Sequence, residues 1–224
     1  MKTLYLDLET IPTRDFMTIM KIADTIKPPG TMKKPETIAA WVANEKQQAV
    51  DDAISKTSLN GAYGHICCLG WAFDDEPVQT VIWPRDVENE AAAIYTFKSI
   101  VEGKTNAQPT IVGHNVVEFD IRFLWQRAFV LGIRMPPWFP RNPRPWDREV
   151  FDTMTAFAGS RNTISMDNLC LALGIEGKTG MDGSMVAAAW DNEEYELIAS
   201  YCADDVERTR KIHKKMLIAL GEVA

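Results

Sequence analysis

Asp7 and Glu9 stand two residues apart in TLYLDLET, and on a strand that spacing sends both carboxylates out of one face. Leu4, Leu6 and Leu8 occupy the other face. Acids side by side within a sheet repel each other and lose hydration; a hard divalent cation with oxygen ligands would offset both costs. An edge strand with a solvated outer face is the plainer alternative. Asp120 follows in GHNVVEFDIRFLWQRAFVLG, where the pattern turns from strand to helix. A carboxylate there can cap free N–H groups and is favoured by the helix dipole. Phe123, Leu124 and Leu131 share its helical face, which aims the acid toward the core.

The C-terminal segment carries the fourth acid. At about 100° per residue, Ile198, Cys202, Val206, Thr209, Ile212, Met216 and Leu220 form one stripe, and Asp205 lies inside it. Asp204 falls outside, toward solvent, and Tyr201 sits one turn before Asp205 on the same side. A carboxylate in the buried stripe is costly unless it is paired or bound to a metal. A structural salt bridge is the alternative.

These residues need elements to carry them. Alternation makes 3–9 a strand. HICCLGWAF (65–73) and VQTVIW (78–83) read as a hairpin around DDEP, and TIVGHN (110–115) as a buried strand entering a helix near 119–131. Residues 87–101 have helical composition. A short strand near 149–153, helices near 165–173 and 183–190, and a long helix near 193–220 complete the pattern. Gly174 is a plausible stop for the helix at 165–173. The stretch 12–60, with KPPGTMKKPE followed by a helical pattern through TIAAWVANEKQQAVDDAISKTSL, reads as an insertion between the first two strands. A hairpin followed by alternating strands and helices implies an α/β domain with a mixed sheet.

The chain has 224 residues, enough for one domain with a sizeable core, and its 46% hydrophobic and 25% charged residues are ordinary for a globular protein. No apolar run is long enough for a membrane span, and acids appear too early for a signal peptide; a cytoplasmic protein is expected. Cys67, Cys68, Cys170 and Cys202 lack CxxC spacing and read as reduced core thiols. Scattered histidines (His65, His114, His213) offer no zinc set. The net charge of −7 argues against a nucleic-acid partner, unless clustered carboxylates hold cations.

Three motifs combine these residues. YLDLET carries a DxE strand, Asn115-Val-Val-Glu-Phe119-Asp120 matches NxxxFD, and Tyr201-Cys-Ala-Asp-Asp205 matches YxxxD. In order and spacing the chain resembles the DEDD superfamily of 3′→5′ exonucleases, in its tyrosine subclass, and is similar to stand-alone relatives of the proofreading domain of family B DNA polymerases. That resemblance implies a ribonuclease H-like fold, a mixed five-stranded sheet flanked by helices, with 1–224 as a single exonuclease domain. It implies two divalent ions, Mg²⁺ or Mn²⁺, about 4 Å apart, clamping the attacking and leaving oxygens. In this reading Asp7 bridges both ions, Glu9 and Asp205 complete one site, and Asp120 serves the second ion, partly through water. Tyr201 orients the attacking water, where the histidine subclass would place a general base. Thr10 is a candidate for the terminal sugar, and Asn115 and Phe119 for supporting or packing the substrate.

The expected substrate is DNA, at single-stranded or frayed 3′ ends. RMPPWFPRNPRPWDRE (134–149) interleaves Arg141 and Arg144 with Trp146 and is the best local candidate for strand contact. A loop packed on the domain through its tryptophans is the alternative. The basic stretch 27–34 suits a flap over the site or a disordered loop, and His114 a structural hydrogen-bonding role. Two rival readings remain at this stage: an exoribonuclease of the same fold, since no group is evidently placed to test a 2′-hydroxyl, and a catalytically inert nucleic-acid-binding module.

Overall fold

The computed structural model describes residues 2–104, 108–144, 146–177 and 180–222, so Pro145 of the Pro/Arg/Trp loop lies outside the described residues. Five strands, β1 (Thr3–Ile11), β2 (His65–Phe73), β3 (Gln79–Ile82), β4 (Thr110–Gly113) and β5 (Val150–Asp152), form one sheet in the order β3-β2-β1-β4-β5. The β1/β2 and β2/β3 pairs are antiparallel and β1/β4 and β4/β5 are parallel, which is the mixed ribonuclease H-like sheet expected. The helices are α1 (Phe16–Thr25), α2 (Pro35–Asn44), α3 (Lys46–Ser55), α4 (Glu90–Lys104), α5 (Asp120–Leu131), α6 (Thr153–Ala158), α7 (Met166–Leu173), α8 (Val186–Asp191) and α9 (Tyr195–Leu220).

Period-two alternation on β1 separates two cores. Leu4, Leu6 and Leu8 pack with Ile94, Phe97, Ile121 and Leu124 of α4 and α5. On the other side Tyr5 packs with Val206, and Ile11 joins the cluster that holds Ile198, Tyr201 and Cys202 of α9. Asp7 and Glu9 lie on this second face, under α9. A register shift at Glu9/Thr10 sets Glu9 opposite Cys68 and Thr10 opposite Ile66, leaving Cys67 as the bulged residue beside Glu9.

The insertion is helical but not as the pattern predicts. α1 was not expected; Asp15 caps it through Thr18 N–H, and although Phe16, Ile19, Met20 and Ala23 stand at helical spacing, none of its residues is buried. The single helical run expected through 37–59 is broken at Glu45 into α2 and α3, followed by a 3-10 turn at Lys56–Leu59. Trp41 and Val50 are the buried residues of α2 and α3. Nine residues apart, they would point in opposite directions on one straight helix, and the break lets both turn inward. The insertion is tied to the end of β1: the Thr10 hydroxyl donates to Ser58 O at 2.8 Å and Thr13 N–H donates to Thr57 Oγ1 at 2.8 Å. A buried ion pair anchors the start of β2. Arg127 donates to both Glu90 oxygens at 2.7 Å, and Glu90 also accepts from Ile66 N–H. Burial pushes the Glu90 carboxyl up, but bonds from His65 and Arg127 more than offset it and hold it low.

Gly70 determines how closely α9 approaches the sheet. It pairs with Asp7, and a Cβ there would lie 2.7 Å from Cys202 Sγ and 3.1 Å from Val206 Cγ2. Gly70→Ala should therefore lift α9 and destabilise the fold by about 1–3 kcal/mol in denaturant titrations. Adding Cys202→Ala should recover part of the loss; an unchanged midpoint for Gly70→Ala alone would contradict this packing.

Candidate active site

The ligand atoms of Asp7, Glu9 and Cys202 all lie within 4.8 Å of one another. β1 supplies the two carboxylates by alternation, and α9 lays Cys202 across them: its thiol approaches Asp7 Oδ2 at 3.5 Å. A hydrogen bond with Cys68, then burial, then the Asp7 and Glu9 carboxylates hold that thiol well above its ordinary pKa. Cys202 is thus a neutral S–H donor, and the carboxylate oxygens are the atoms of this cluster that could hold a cation. All four cysteines are buried thiols, as expected of core residues, but the contact with Asp7 was not foreseen.

Asp205 and Tyr201 are both buried on the sheet-facing side of α9, while Asp204 is exposed, as the stripe predicts. Asp205 is paired by Arg208, one turn further along, and the same guanidinium reaches Asp167 at the start of α7 at 3.5 Å. Burial first, then the Glu9 and Asp7 carboxylates, push the Tyr201 phenol far above its usual range. Tyr201 therefore sits within the field of both β1 acids as a neutral hydroxyl.

Asp120 approaches from the β4 side. Parallel pairing of β1 with β4 reaches only Tyr5, and further along the edge Asp120 Oδ1 accepts Leu8 N–H at 3.0 Å, between Asp7 and Glu9 in the chain. The turn that delivers it is held by Asp152 at the end of β5. Asp152 Oδ1 accepts Asn115 N–H at 3.0 Å and Oδ2 accepts Val117 N–H at 3.2 Å, while Oδ1 also caps α6 through Met154 N–H at 3.0 Å. Asn115 occupies left-handed backbone (φ 63°), which asparagine tolerates better than most residues. Asp120 thus reaches β1 through the Leu8 amide and Asp205 is held by Arg208, both outside the tight Asp7/Glu9/Cys202 group.

The remaining candidates are spread wider. Thr10 is turned toward the insertion by its bond to Ser58. Phe119 precedes α5, half-buried against Phe123 with ring centroids 5.6 Å apart. Arg141 lies over Phe129 of α5, while Arg144 pairs with Asp147 and lies over the exposed Trp146. Phe139 is buried and Trp138 packs on the main core, so the loop docks through these two rings and leaves Trp146 outside. Both His114 nitrogens are engaged, by Thr153 Oγ1 at 3.0 Å and Ile164 O at 2.9 Å, which fits a structural role. Sequence reasoning missed Asp152, Cys202 and Arg208. Asp152 directly before TMTAF had a readable helix-cap signal, and Arg208 three residues after Asp205 a readable helical-pair signal.

Burial foremost, with the Asp152 carboxylate adding to it, pushes Asp120 up to about 8 against the lowering effect of the Asp120 and Leu8 N–H groups. A carboxyl raised in the folded state favours folding while protonated, and that contribution is lost as pH rises from about 4 through about 8. In EDTA the protein should lose a few kcal/mol of stability across this range, and Asp120→Asn should flatten the dependence. Parallel profiles for the two proteins in thermal melts would contradict the assignment.

A family model described as predicted 3′-5′ exonuclease related to the exonuclease domain of PolB matches residues 65–224. The match includes the Asn115–Asp120 and Tyr201–Asp205 motifs and begins after β1. Among solved structures, the family B DNA polymerase from the hyperthermophilic archaeon Pyrobaculum calidifontis is similar, with a TM-score of 0.58 and 16% identity over 96% of this chain and 24% of that one. At that identity the likeness speaks to the fold, and the chain spans about a quarter of the polymerase's length. No curated protein matches. With well over half of its length matched, this chain belongs to the family of predicted 3′→5′ exonucleases related to the exonuclease domain of PolB.

Proposed function

We propose that this protein is a metal-dependent exodeoxyribonuclease that hydrolyses the terminal phosphodiester at 3′ ends of DNA, preferring single-stranded or frayed ends. The observation that carries the reading is the convergence of Asp7 and Glu9 under α9, beside a neutral Tyr201. Confined carboxylates of this kind suit a hard divalent ion, and the donor set fits Mg²⁺ or Mn²⁺: clustered Asp7 and Glu9 oxygens, with buried Asp120 and Asp205 on flanking helices to complete it. When bound, such ions would acidify a water and offset charge on the scissile phosphate.

The chain's own groups supply the rest. Tyr201, held as a phenol, cannot take a proton as a general base near neutrality and instead orients the water by hydrogen bonding. Thr10 has lone pairs left to accept from a terminal sugar hydroxyl, and Asn115 and Phe119 stand at the turn that delivers Asp120. Exposed Trp146 with Arg144 over its ring offers a stacking platform for an unpaired base, with Arg141 as a neighbouring cation. In this reading residues 1–224 act as one domain, elaborated by the insertion at about 12–60. Among the described residues no helix is long and apolar enough to cross a membrane. The four buried thiols suit the reducing cytoplasm.

The test is 5′-labelled single-stranded DNA and RNA of one sequence, incubated with Mg²⁺, Mn²⁺ or EDTA and resolved by length. A ladder shortening from the 3′ end is expected with metal and not in EDTA, faster on DNA than on RNA. Asp7→Asn should slow it by about 10²–10³-fold or more. Intact DNA with both metals would reject the enzyme; a faster RNA ladder would reassign the substrate.

A further inference from the structure

Arg208 is buried, yet its guanidinium is divided among unequal partners. Nη2 donates to Asp205 Oδ1, Nη1 reaches Asp167 Oδ1 at 3.5 Å, and Nε is buried without a hydrogen-bond partner among the described residues. Asp167 is half-exposed, whereas Asp205 is not, so the two acceptors differ in how easily water replaces the arginine. Arg208 also lines a cavity of about 270 Å³ beside Tyr201, together with Glu176, Asp204, Glu207 and Lys211. Among the described residues three carboxylates and two cations line this cavity, and the acids that Arg208 touches account for its guanidinium.

We propose that Arg208 is a built-in counter-cation for Asp205, which a divalent ion must displace, and that Asp167 receives the guanidinium when it lets go. The inference rests on the reading of Asp205 as a metal ligand. Its physical basis is competition for one carboxylate. A buried Asp205 needs a positive partner, and Arg208 provides one from the same helix. A cation approaching Asp7 and Glu9 must share Asp205 with that charge, or move it. Asp205 holds the guanidinium closely, and the 3.5 Å separation of Nη1 from Asp167 Oδ1 puts a second, half-exposed acceptor within its reach. Arg208 is a positioning residue in this account: it keeps Asp205 in place and weakens metal binding, so that ions exchange.

A purely structural Arg208, joining α9 to α7, would leave metal affinity unchanged or weakened when removed. Competition predicts the opposite sign. The test is Mn²⁺ titration of the full chain without nucleic acid, reading free Mn²⁺ by electron paramagnetic resonance, with circular dichroism melts alongside. Arg208→Gln should bind Mn²⁺ about tenfold more tightly than the wild type. Arg208→Lys keeps the charge without the fork and should shift less. Asp167→Asn should bind more weakly, because the guanidinium loses its alternative acceptor. A folded Arg208→Gln with unchanged or weaker Mn²⁺ binding overturns the inference. If that variant does not fold, unchanged affinity in both Arg208→Lys and Asp167→Asn overturns it instead. A wild type that takes up no Mn²⁺, indistinguishable from Asp7→Asn, sinks the metal reading and this inference with it.

Discussion

Two carboxylates on the inner face of a strand, covered by a helix, are held where like charges repel and hydration is poor. Asp7 and Glu9 are in that position because the other face of β1 is committed to leucines packed on α4 and α5. The alternation that builds one core therefore drives both acids under α9. Gly70 allows that helix to seat directly against the sheet, and Cys202 and Tyr201 then fall beside the pair, with Asp205 buried further along the same helix. Much of the surrounding architecture can be understood as tolerating this concentration of negative charge. Cys202 donates to Asp7, Arg208 pairs with Asp205, and the Leu8 amide donates to Asp120.

A second layer fixes the geometry from farther away. Asp152 gathers amide hydrogens from the Asn115–Val117 turn while capping α6, so one carboxylate ties the end of β5 to the turn that presents Asp120. On the opposite flank, Thr10 and Thr13 bind the insertion to the end of β1, immediately after Glu9. The Arg127–Glu90 pair secures the entry to β2 nearby. The acids are thus carried on regular elements and braced at both ends of the β1 edge, which suits a site that must hold charged groups within narrow distances.

The parts that could be read in the sequence are those where burial and periodicity coincide. β1 and its two faces, the β2/β3 hairpin and the buried stripe of α9 through His213 follow the expected pattern, and Asp205 and Asp204 separate as their helical angles require. Farther along, Leu220 is exposed although it lies on the stripe, because α9 has run past the sheet. The insertion was least readable. α1 buries nothing, so the helical spacing of Phe16, Ile19, Met20 and Ala23 marks a helix without marking a core face. The break at Glu45 depends on where Trp41 and Val50 find a core, which is a tertiary matter. Within the site, residue types and spacing singled out the acids and Tyr201, but their partners belong to contacts across the fold: Cys202 on Asp7, Asp152 beneath the Asn115 turn, and Arg208 between Asp205 and Asp167.

The proposed function requires the covered face of β1 to hold a divalent cation. Diffraction from crystals soaked in Mn²⁺, with the anomalous signal mapped, tests it most directly. A peak is expected within ligand distance of the Asp7 and Glu9 carboxylates, with Asp205 or Asp120 turned toward it. Peaks confined to surface acids, with Asp7 and Glu9 unaltered at millimolar Mn²⁺, would contradict it.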